Sequence, residues 1–352
     1  MYRYFSEMDR TYKNSLRIPL KNEKYIIFSD FHLGKRNSRD DFKENSSLII
    51  SVLKDYYFKN GYTLILNGDI EELQKNSINA VLNKWKDLYD VFALFAEDSR
   101  LFKIVGNHDY KLYSRNYTDS VNSRLYDGLS LDYEGKTIFI FHGHQASKYS
   151  GFRNKLIGFI LRYCAKPLGI KNIVRDYGNL KIHKTEERVY KYSRMKGVVS
   201  IIGHTHRPLF ESLSDIDIII FTIERLLRNY TNAGKREKTG IEHEIEDNKK
   251  QLKRILSYDS MEGAIGSIYD REMIIPVIFN SGCVIGPKGA TGIEIDNGNI
   301  SLIRWYNTYQ KEKYYKQVRD ERFTFGNRGA YRKILKQDSL DYIFNRIRLL
   351  TK

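Results

Sequence analysis

The chain has 352 residues, 41% of them hydrophobic, and a formal net charge of +16 at pH 7. This length allows one large domain or two smaller ones, and the apolar content excludes a chain that is disordered throughout. No segment reaches the roughly 18 consecutive apolar residues of a membrane-spanning helix, and residues 1–25 lack the apolar stretch of a secretory signal. The positive charge favours anionic partners, namely phosphates, nucleic acid or an acidic lipid surface.

The two cysteines, Cys164 and Cys283, lie far apart and show no metal-binding spacing. We interpret them as reduced thiols of a cytoplasmic protein, because disulfides are rare in that compartment. A metal site in this chain would therefore be built from His, Asp and Asn side chains.

In chain order, apolar runs that close on Gly, Asp, Asn or His predict buried strands that open into loops. The predicted strands are residues 24–29, 62–66, 101–105, 136–141 and 197–202. Apolar residues at helical spacing predict helices over about 40–58 and 77–96. Strands that alternate with helices indicate a layered α/β fold.

Two segments interrupt this alternation. Residues 150–196 are helical in pattern and strongly basic, and their position between two histidine motifs predicts a cap over the site. Residues 211–262 predict a second, mostly helical insertion. Strand character returns at 274–306, where Asp296-Asn297-Gly298-Asn299 predicts a hairpin turn. The predicted division is a domain of residues 1–310, which contains both insertions, and a basic C-terminal extension of residues 311–352.

Six of the eight histidines belong to five short motifs that follow the predicted strands. The motifs are Ser29-Asp30-Phe31-His32-Leu33-Gly34, Asn67-Gly68-Asp69, Gly106-Asn107-His108-Asp109, His142-Gly143-His144 and Gly203-His204-Thr205-His206. Strand ends that meet at one edge would bring these oxygen and nitrogen donors together. Without a metal, so many histidines beside Asp and Asn would bury unpaired polar groups at a high cost.

The spacing of these residues suits two metal ions. Asp30 and His32 are two residues apart at the start of a loop, so both can turn towards one ion. Asp69 can bridge two ions because a carboxylate has two oxygens, and Asn107 offers a carbonyl oxygen. The two histidines of the last motif can each take a different ion. Mixed nitrogen and oxygen ligands favour Mn, Fe, Zn or Co over Mg or Ca.

In this order the motifs resemble those of the calcineurin-like metallophosphoesterase superfamily, over about residues 24–210 and more loosely over 274–306. The resemblance implies a four-layered α/β/β/α sandwich with helical insertions. It also implies two divalent ions, Mn²⁺ first and Fe, Zn or Co as alternatives, that hydrolyse a phosphoester through a metal-bridging hydroxide. The implied ligands are Asp30, His32, Asp69 and His206 for one ion, and Asp69, Asn107, His142 and His204 for the other.

The resemblance further implies that His108 is the general acid at the leaving-group oxygen, with Asp109 orienting its ring. The pattern alone leaves His142 and His144 open as ligands. The family places its ligand directly before Gly, which selects His142 and leaves His144 to face the substrate. The predicted substrate contacts are Arg36, His144 and Arg207.

Within the superfamily, the sequence looks most like the UDP-2,3-diacylglucosamine hydrolase branch. The similarity rests on Gly68-Asp69-Ile70-Glu71-Glu72, on His142-Gly143-His144 and on a helical insertion before Gly203-His204. It implies a phosphorylated small molecule or a lipid-linked nucleotide as substrate. Apolar and basic residues in 151–170 fit a lipid cap or a peripheral contact with the membrane, and they fit equally a helix packed on the core.

The bond that is cleaved stays open among phosphodiester, pyrophosphate and phosphomonoester. The alternative function is a nuclease acting on single-stranded or structured nucleic acid, because the basic cap and tail are interleaved with tyrosines. A protein serine/threonine phosphatase is less favoured, since the basic insertion is unlike an open peptide groove. An inactive scaffold is also less favoured, since every ligand position of the family is present.

Overall fold

Contacts between residues divide the structure, a computed structural model, into two units: Met1–Phe210 with Val277–Lys352, and Glu211–Pro276. The described residues are 3–20, 23–38, 40–113, 124–147, 185–211, 233–259, 275–315 and 320–350, with parts of 219–230. The amphipathic segment 151–170 and the predicted cap up to residue 184 lie outside them. In the described part of the chain, no helix has both the length and the apolarity to cross a membrane.

All the named strands belong to the first unit. They are β1 (Leu16–Pro19), β2 (Lys24–Phe28), β3 (Tyr62–Asn67), β4 (Leu101–Ile104), β5 (Leu125–Tyr126), β6 (Gly128–Tyr133), β7 (Lys136–Phe141), β8 (Val199–Ile202), β9 (Ile278–Asn280), β10 (Ala290–Asp296), β11 (Asn299–Asn307), β12 (Glu321–Phe325) and β13 (Arg328–Ser339). They form an eight-stranded sheet in the order β12-β13-β11-β10-β2-β3-β4-β5 and a five-stranded sheet in the order β1-β6-β7-β8-β9. Both sheets mix parallel and antiparallel pairs.

The helices of the first unit are α1 (Arg3–Lys13), α2 (Ser46–Ser51, continued by the π-helical Val52–Phe58), α3 (Ile78–Lys84) and α4 (Lys86–Glu97). The second unit contains α5 (Lys235–Asp259), and the chain continues in the first unit with α6 (Thr308–Tyr314) and α7 (Leu340–Leu350). Residues 185–196 are also helical. Short 3₁₀ turns follow β4 and β7, at Tyr110–Tyr113 and His144–Ala146.

The central strands of each sheet are buried on both faces. On β2, Ile26 and Phe28 pack with residues of α2 and α4, whereas Ile27 between them is buried on the other face. On β7, Phe139 packs with residues of α1 and of the helix at 185–196, and Ile140 is buried on the opposite face. Helices on the outer faces and buried inner faces are what a sandwich of two sheets requires. The predicted α/β fold is confirmed.

The C-terminal strands extend the larger sheet. β10 and β11 pair as an antiparallel hairpin whose turn residues, Asn297 and Gly298, have φ of 49° and 73°. Such positive φ values suit the tight turn that the Asn-Gly pair predicts. β13 pairs with β11 over Asn299–Asn307, and β12 forms the edge of the sheet.

The site is positioned by parallel neighbours in each sheet. β2, β3 and β4 are parallel and adjacent in the larger sheet, and β7 and β8 are parallel and adjacent in the smaller one. Each of these strands ends directly before one of the five histidine and aspartate motifs. Hydrogen bonds join the two sets of strand ends, among them Ser29 Oγ to Ser281 Oγ at 2.8 Å.

Candidate metal centre

The first group of donors comes from the loops after β2 and β8. Asp30 Oδ1 lies 3.1 Å from His206 Nε2, and His32 Nε2 lies 3.1 Å from the same nitrogen. His32 Nε2 is 4.0 Å from Asp69 Oδ2. These four side chains, which the family resemblance assigns to one ion, therefore meet in one place.

The second group lies on the other side of Asp69. His142 Nε2 is 3.1 Å from Asp69 Oδ2, and the rings of His142 and His204 have centroids 5.2 Å apart. Asp69, His142 and His204 each offer a donor atom within 4.8 Å of the others. Asn107 follows β4, and the backbone N–H of the next residue, His108, donates to Asp69 Oδ1 at 2.8 Å. Asp69 thus belongs to both groups.

The backbone is left-handed at five of the seven predicted ligand positions. The φ values are 57° at Asp30, 49° at His32, 54° at Asp69, 63° at His204 and 59° at His206. Asp and His enter this region more readily than most residues, yet it is uncommon outside glycine. Residues in such conformations cost of order 1–3 kcal/mol each and cluster at functional sites.

Two glycines allow the ligands to lie against the backbone. A Cβ atom at Gly106 would stand 2.2 Å from Asp69 Oδ1, and one at Gly68 would stand 2.5 Å from His142 Nδ1. Gly68 also has a φ of +80°, which other residues rarely adopt. The Gly of these motifs is therefore required by the close approach of Asp69 and His142.

Several of the donor atoms make no hydrogen bond within the protein, as expected of atoms that bind metal ions. Among the described residues, the buried Asn107 Oδ1 has no hydrogen-bond partner. Asp30 Oδ1 and His142 Nε2 are also buried and make no hydrogen bond, although each has a neighbour at 3.1 Å. Carboxylate, imidazole and amide oxygen together are a donor set that suits divalent transition metals.

The first donor group places the Asp30 carboxylate beside two histidine rings. Burial alone would lower the pKa of His32 and His206, but Asp30 beside both rings raises these pKa values to about 9 and about 11. Burial alone would raise the pKa of Asp30, but the two rings hold it well below its usual range. The pocket therefore stabilises positive charge beside its carboxylates, a role that a divalent ion would take over.

His142 and His144 have different surroundings. His142 Nδ1 donates to the carbonyl oxygen of Asn67 at 2.8 Å, which leaves Nε2 facing Asp69. Against the effect of burial, Asp69 raises the pKa of His142 to about 9. Burial and the charge of His142 lower the pKa values of His144 and His204 to about 3. A carbonyl that fixes the ring of a histidine ligand is a common support in metal sites.

The partner of the His108 ring is Glu72. Its Oε2 lies 3.0 Å from His108 Nδ1, and 3.1 Å from Lys75 Nζ. Asp109, to which the family resemblance assigns the orienting role, instead accepts from the backbone N–H groups of Ile70 at 2.8 Å and Gly106 at 2.6 Å. Burial and the neighbouring carboxylates raise the pKa of Asp109 to about 7. Asp109 therefore joins the loops after β3 and β4, whereas Glu72 contacts the His108 ring.

The two arginines proposed as substrate contacts bind carboxylates of the protein. The Arg36 guanidinium pairs with Asp87 through contacts of 2.8 and 2.7 Å and lies 4.4 Å over the Trp85 ring. Arg207 pairs with Glu186, in part through its Nε at 3.3 Å. Each arginine is thus paired with a carboxylate that lies far from it in the sequence.

A cleft of about 510 Å³ opens beside His32, His108 and His206. Its walls include two lysines, Lys35 and Lys75. The remaining lining residues are Gly34, Asn37, Asp40, Asp41, Glu72, Asn76 and Ile285. Glu72 and Lys75 could have been identified from the sequence because they lie three and six residues after Asp69, on the loop that follows β3.

Comparison with known proteins yields weak likenesses to solved structures. No protein-family model and no curated protein matches the chain. The chain is similar to a Vps29 single mutant from Entamoeba histolytica, with 10% identity and a TM-score of 0.34 over 80% of this chain and 91% of that one. It is also similar to an archaeal phosphodiesterase (19% identity, TM-score 0.28, 55% and 79% covered) and to a protein of unknown function from Aquifex aeolicus (20%, 0.29, 53% and 81%).

Proposed function

We propose that the protein is a metal-dependent phosphoesterase of the calcineurin-like type, with two divalent ions held side by side. The observation that carries this proposal is the position of Asp69, whose carboxylate belongs to both donor groups. Its Oδ2 lies 3.1 Å from His142 Nε2 and 4.0 Å from His32 Nε2. A carboxylate shared in this way is suited to bridge two ions.

The proposed ligands are Asp30, His32, Asp69 and His206 for one ion, and Asp69, Asn107, His142 and His204 for the other. We expect Mn²⁺, with Fe, Zn or Co as alternatives, because the donors mix nitrogen and oxygen. Two bound metal ions would supply positive charge for the phosphoryl oxygens and lower the pKa of a bound water.

His108 is the proposed proton donor to the leaving-group oxygen. Its Nδ1 is bound to Glu72, so Nε2 is the nitrogen that remains to donate into the cleft. The Glu72 carboxylate fixes the orientation of this ring. Protonation lets the leaving group depart as a neutral alcohol, and a positioned general acid typically contributes about 10²–10⁴ in rate.

Lys35 and Lys75 on the cleft wall favour an anionic substrate. The proposed substrates are a phosphodiester, a pyrophosphate or a phosphomonoester of a small molecule or a lipid-linked nucleotide. The last follows from the motifs that resemble the UDP-2,3-diacylglucosamine hydrolase branch. We propose that the protein acts in the cytoplasm, with a peripheral membrane contact where the substrate is lipid-linked.

The test is hydrolysis of bis-p-nitrophenyl phosphate and p-nitrophenyl phosphate by metal-stripped protein to which Mn²⁺ is returned. We expect Mn²⁺-dependent turnover that falls by at least about 10²-fold in Asp69→Asn, a loss of the size seen when one key charge-stabilising group is removed. Asp55→Asn is the matched control, because Asp55 is paired with Lys59 away from the site. Metal content measured on the same samples should fall only in Asp69→Asn.

Turnover that needs no metal, or that survives in Asp69→Asn, would contradict the proposal. The ratio of the two substrates distinguishes a diesterase from a monoesterase. Cleavage of a single-stranded oligonucleotide in a parallel assay would favour the nuclease alternative.

A further inference from the structure

One face of the larger sheet carries cations opposite one another. In the pairing of β11 with β13, Arg304 stands directly opposite Lys333, and Tyr306 stands opposite Tyr331. In the pairing of β12 with β13, Arg322 stands opposite Tyr331, so these side chains share one face. Like charges directly opposite each other destabilise a sheet. Among the described residues, the buried Nε of Arg304 has no hydrogen-bond partner.

Aromatic rings lie among these cations. Tyr306 and Tyr331 are stacked with centroids 5.6 Å apart, and Tyr315 lies 4.4 Å from Tyr306. The Tyr315 hydroxyl accepts a hydrogen bond from Arg304 at 2.9 Å. On the adjoining α6, Lys313 Nζ lies 5.4 Å from the ring of Tyr309, which is 58% exposed. Tyr306 is fully buried, so the rings that a partner can reach are the half-buried Tyr331 and the exposed Tyr309.

Few carboxylates of the described residues neutralise this face. Asp320 pairs with Lys311 at 3.3 Å and also lies near the charge of Lys333, so one carboxylate faces two lysines. Glu321 turns to the other face of the sheet, where it binds Arg332 at 2.9 Å. Arg304, Arg322 and Lys333 thus leave the face with a positive charge that an anionic partner would offset.

Buried hydrogen bonds connect α6 with a loop that lines the cleft. Gln310 of α6 donates to Asn45 Oδ1 at 2.9 Å, and Asn45 donates to the carbonyl oxygens of Val284 at 2.9 Å and Gly286 at 3.0 Å. Ile285, between those two residues, lines the cleft.

We propose that this surface, defined by Arg304, Tyr309, Arg322, Tyr331 and Lys333, binds single-stranded nucleic acid. Cations along a face suit a phosphate backbone, and tyrosine rings offer planes on which unpaired bases stack. A duplex keeps its bases stacked on each other, so it would gain only the electrostatic part of the binding free energy. The inference is independent of the proposed phosphoesterase activity.

The test is fluorescence anisotropy of a labelled single-stranded oligonucleotide, with metal-stripped protein so that hydrolysis does not contribute. The surface variant Arg322→Gln/Lys333→Gln should weaken the salt dependence of binding. The magnitude of the negative slope of log K against log [salt] should fall by about 1.4, because each cation on a single strand contributes about 0.7. Tyr309→Ala should weaken binding about fivefold or more at every salt concentration, because stacking does not depend on salt.

The control is Lys54→Gln/Lys59→Gln, which removes the same charge from exposed positions outside this surface. We expect the control to bind nearly as the parent chain does. Equal loss in the control and the surface variant would overturn the proposal, because net charge alone would then explain binding. Equal affinity for a duplex, or binding only to phosphatidylglycerol vesicles, would overturn it as well. Retained thermal unfolding midpoints show that each variant is folded.

Discussion

Glu72 and His108 form a carboxylate–imidazole pair at the mouth of the cleft, with Oε2 3.0 Å from Nδ1. The same carboxylate oxygen lies 3.5 Å from His32 Nδ1, a ring of the first donor group. Although burial alone would raise the pKa of Glu72, these two rings hold it well below its usual range. Glu72 therefore stays ionised and connects the proposed acid to the metal centre.

The first prediction concerns this pair. Glu72→Gln should lower kcat most for substrates with poor leaving groups, because these need the proton of His108. We expect a loss of roughly 10²-fold for an alkyl phosphoester and a much smaller loss for a p-nitrophenyl ester. The measurement is kcat for both substrates in Glu72→Gln and His108→Asn. Equal losses for the two leaving groups would show that Glu72 acts on the ions and not on the acid.

A second prediction concerns Gly106, whose added Cβ would stand 2.2 Å from Asp69 Oδ1. Gly106→Ala should displace the shared carboxylate and weaken Mn²⁺ binding by about 10–100-fold. It should also lower the free energy of unfolding by about 1–3 kcal/mol, as overpacking does. Gly240→Ala on α5 is the control, since its Cβ meets nothing within 4 Å. Calorimetric Mn²⁺ titration and urea unfolding measure both effects, and unchanged affinity in Gly106→Ala would contradict the prediction.

The raised pKa values predict proton release when metal binds. His32, His142 and His206 have pKa values of about 9, about 9 and about 11, so at pH 7 about three protons should leave as the ions enter. Apparent affinity should therefore rise with pH through about 9, where His32 and His142 lose their protons, and on towards about 11, where His206 does. In the metal-free protein the same rings stabilise the fold fully below pH 6.5, their ordinary pKa. This stabilisation is lost as pH rises through about 9 for His32 and His142 and through about 11 for His206.

Proton release is measured by calorimetry of Mn²⁺ binding at pH 7 in buffers with different enthalpies of ionisation. A heat that does not depend on the buffer would show that these rings are neutral before the metal binds.

Much of the site was predictable because each ligand motif follows a buried strand. The predicted strands at 24–29, 62–66, 101–105, 136–141 and 197–202 correspond to β2, β3, β4, β7 and β8 within two residues at each end. Apolar runs of this kind leave few alternatives to a buried strand, and the carboxyl ends of parallel strands meet at one edge. Sequence order alone therefore indicates which donors come together.

Contacts between distant loops were not predictable. Arg36 binds Asp87, which is 51 residues away, and only the tertiary fold brings the two together. The choice between Glu72 and Asp109 as the partner of His108 depends on how the loop after β3 passes the loop after β4. Leu73 N–H donates to the carbonyl oxygen of His108 at 3.1 Å, and this contact brings Glu72 to the ring.

The strands β12 and β13 were also missed by the sequence analysis. Their residues are largely exposed or half-buried, so they lack the apolar run that indicates a strand. Exposed edge strands are often rich in charge, which hides them from hydrophobic patterning.

The fourth prediction separates two neighbouring cations. Lys35 lines the cleft, whereas Arg36 is held by Asp87 and Trp85. Lys35→Gln should raise KM for a phosphoester several-fold with little change in kcat, since it removes attraction common to substrate and transition state. Arg36→Gln should leave KM unchanged. Steady-state kinetics of the two variants side by side is the measurement, and a larger change in KM for Arg36→Gln would reverse these assignments.

The last prediction concerns the buried pair that fastens β13 to the sheet. Arg332 Nε donates to Glu294 Oε1 at 3.1 Å, and the Tyr57 hydroxyl donates to the same oxygen at 2.6 Å. Arg332→Met leaves Glu294, which is 3% exposed, without its cation. The free energy of unfolding should therefore fall by about 3–5 kcal/mol, as when one partner of a buried ion pair is removed.

Urea unfolding measures this loss, with the exposed Arg328→Met as the control, for which a change within about 0.5 kcal/mol is expected. Adding Glu294→Gln to Arg332→Met should restore part of the stability, because it removes the uncompensated buried charge. If Arg332→Met costs no more than Arg328→Met, the pair does not anchor β13. The strand would then be held by its backbone hydrogen bonds to β11 and by the packing of Ala330.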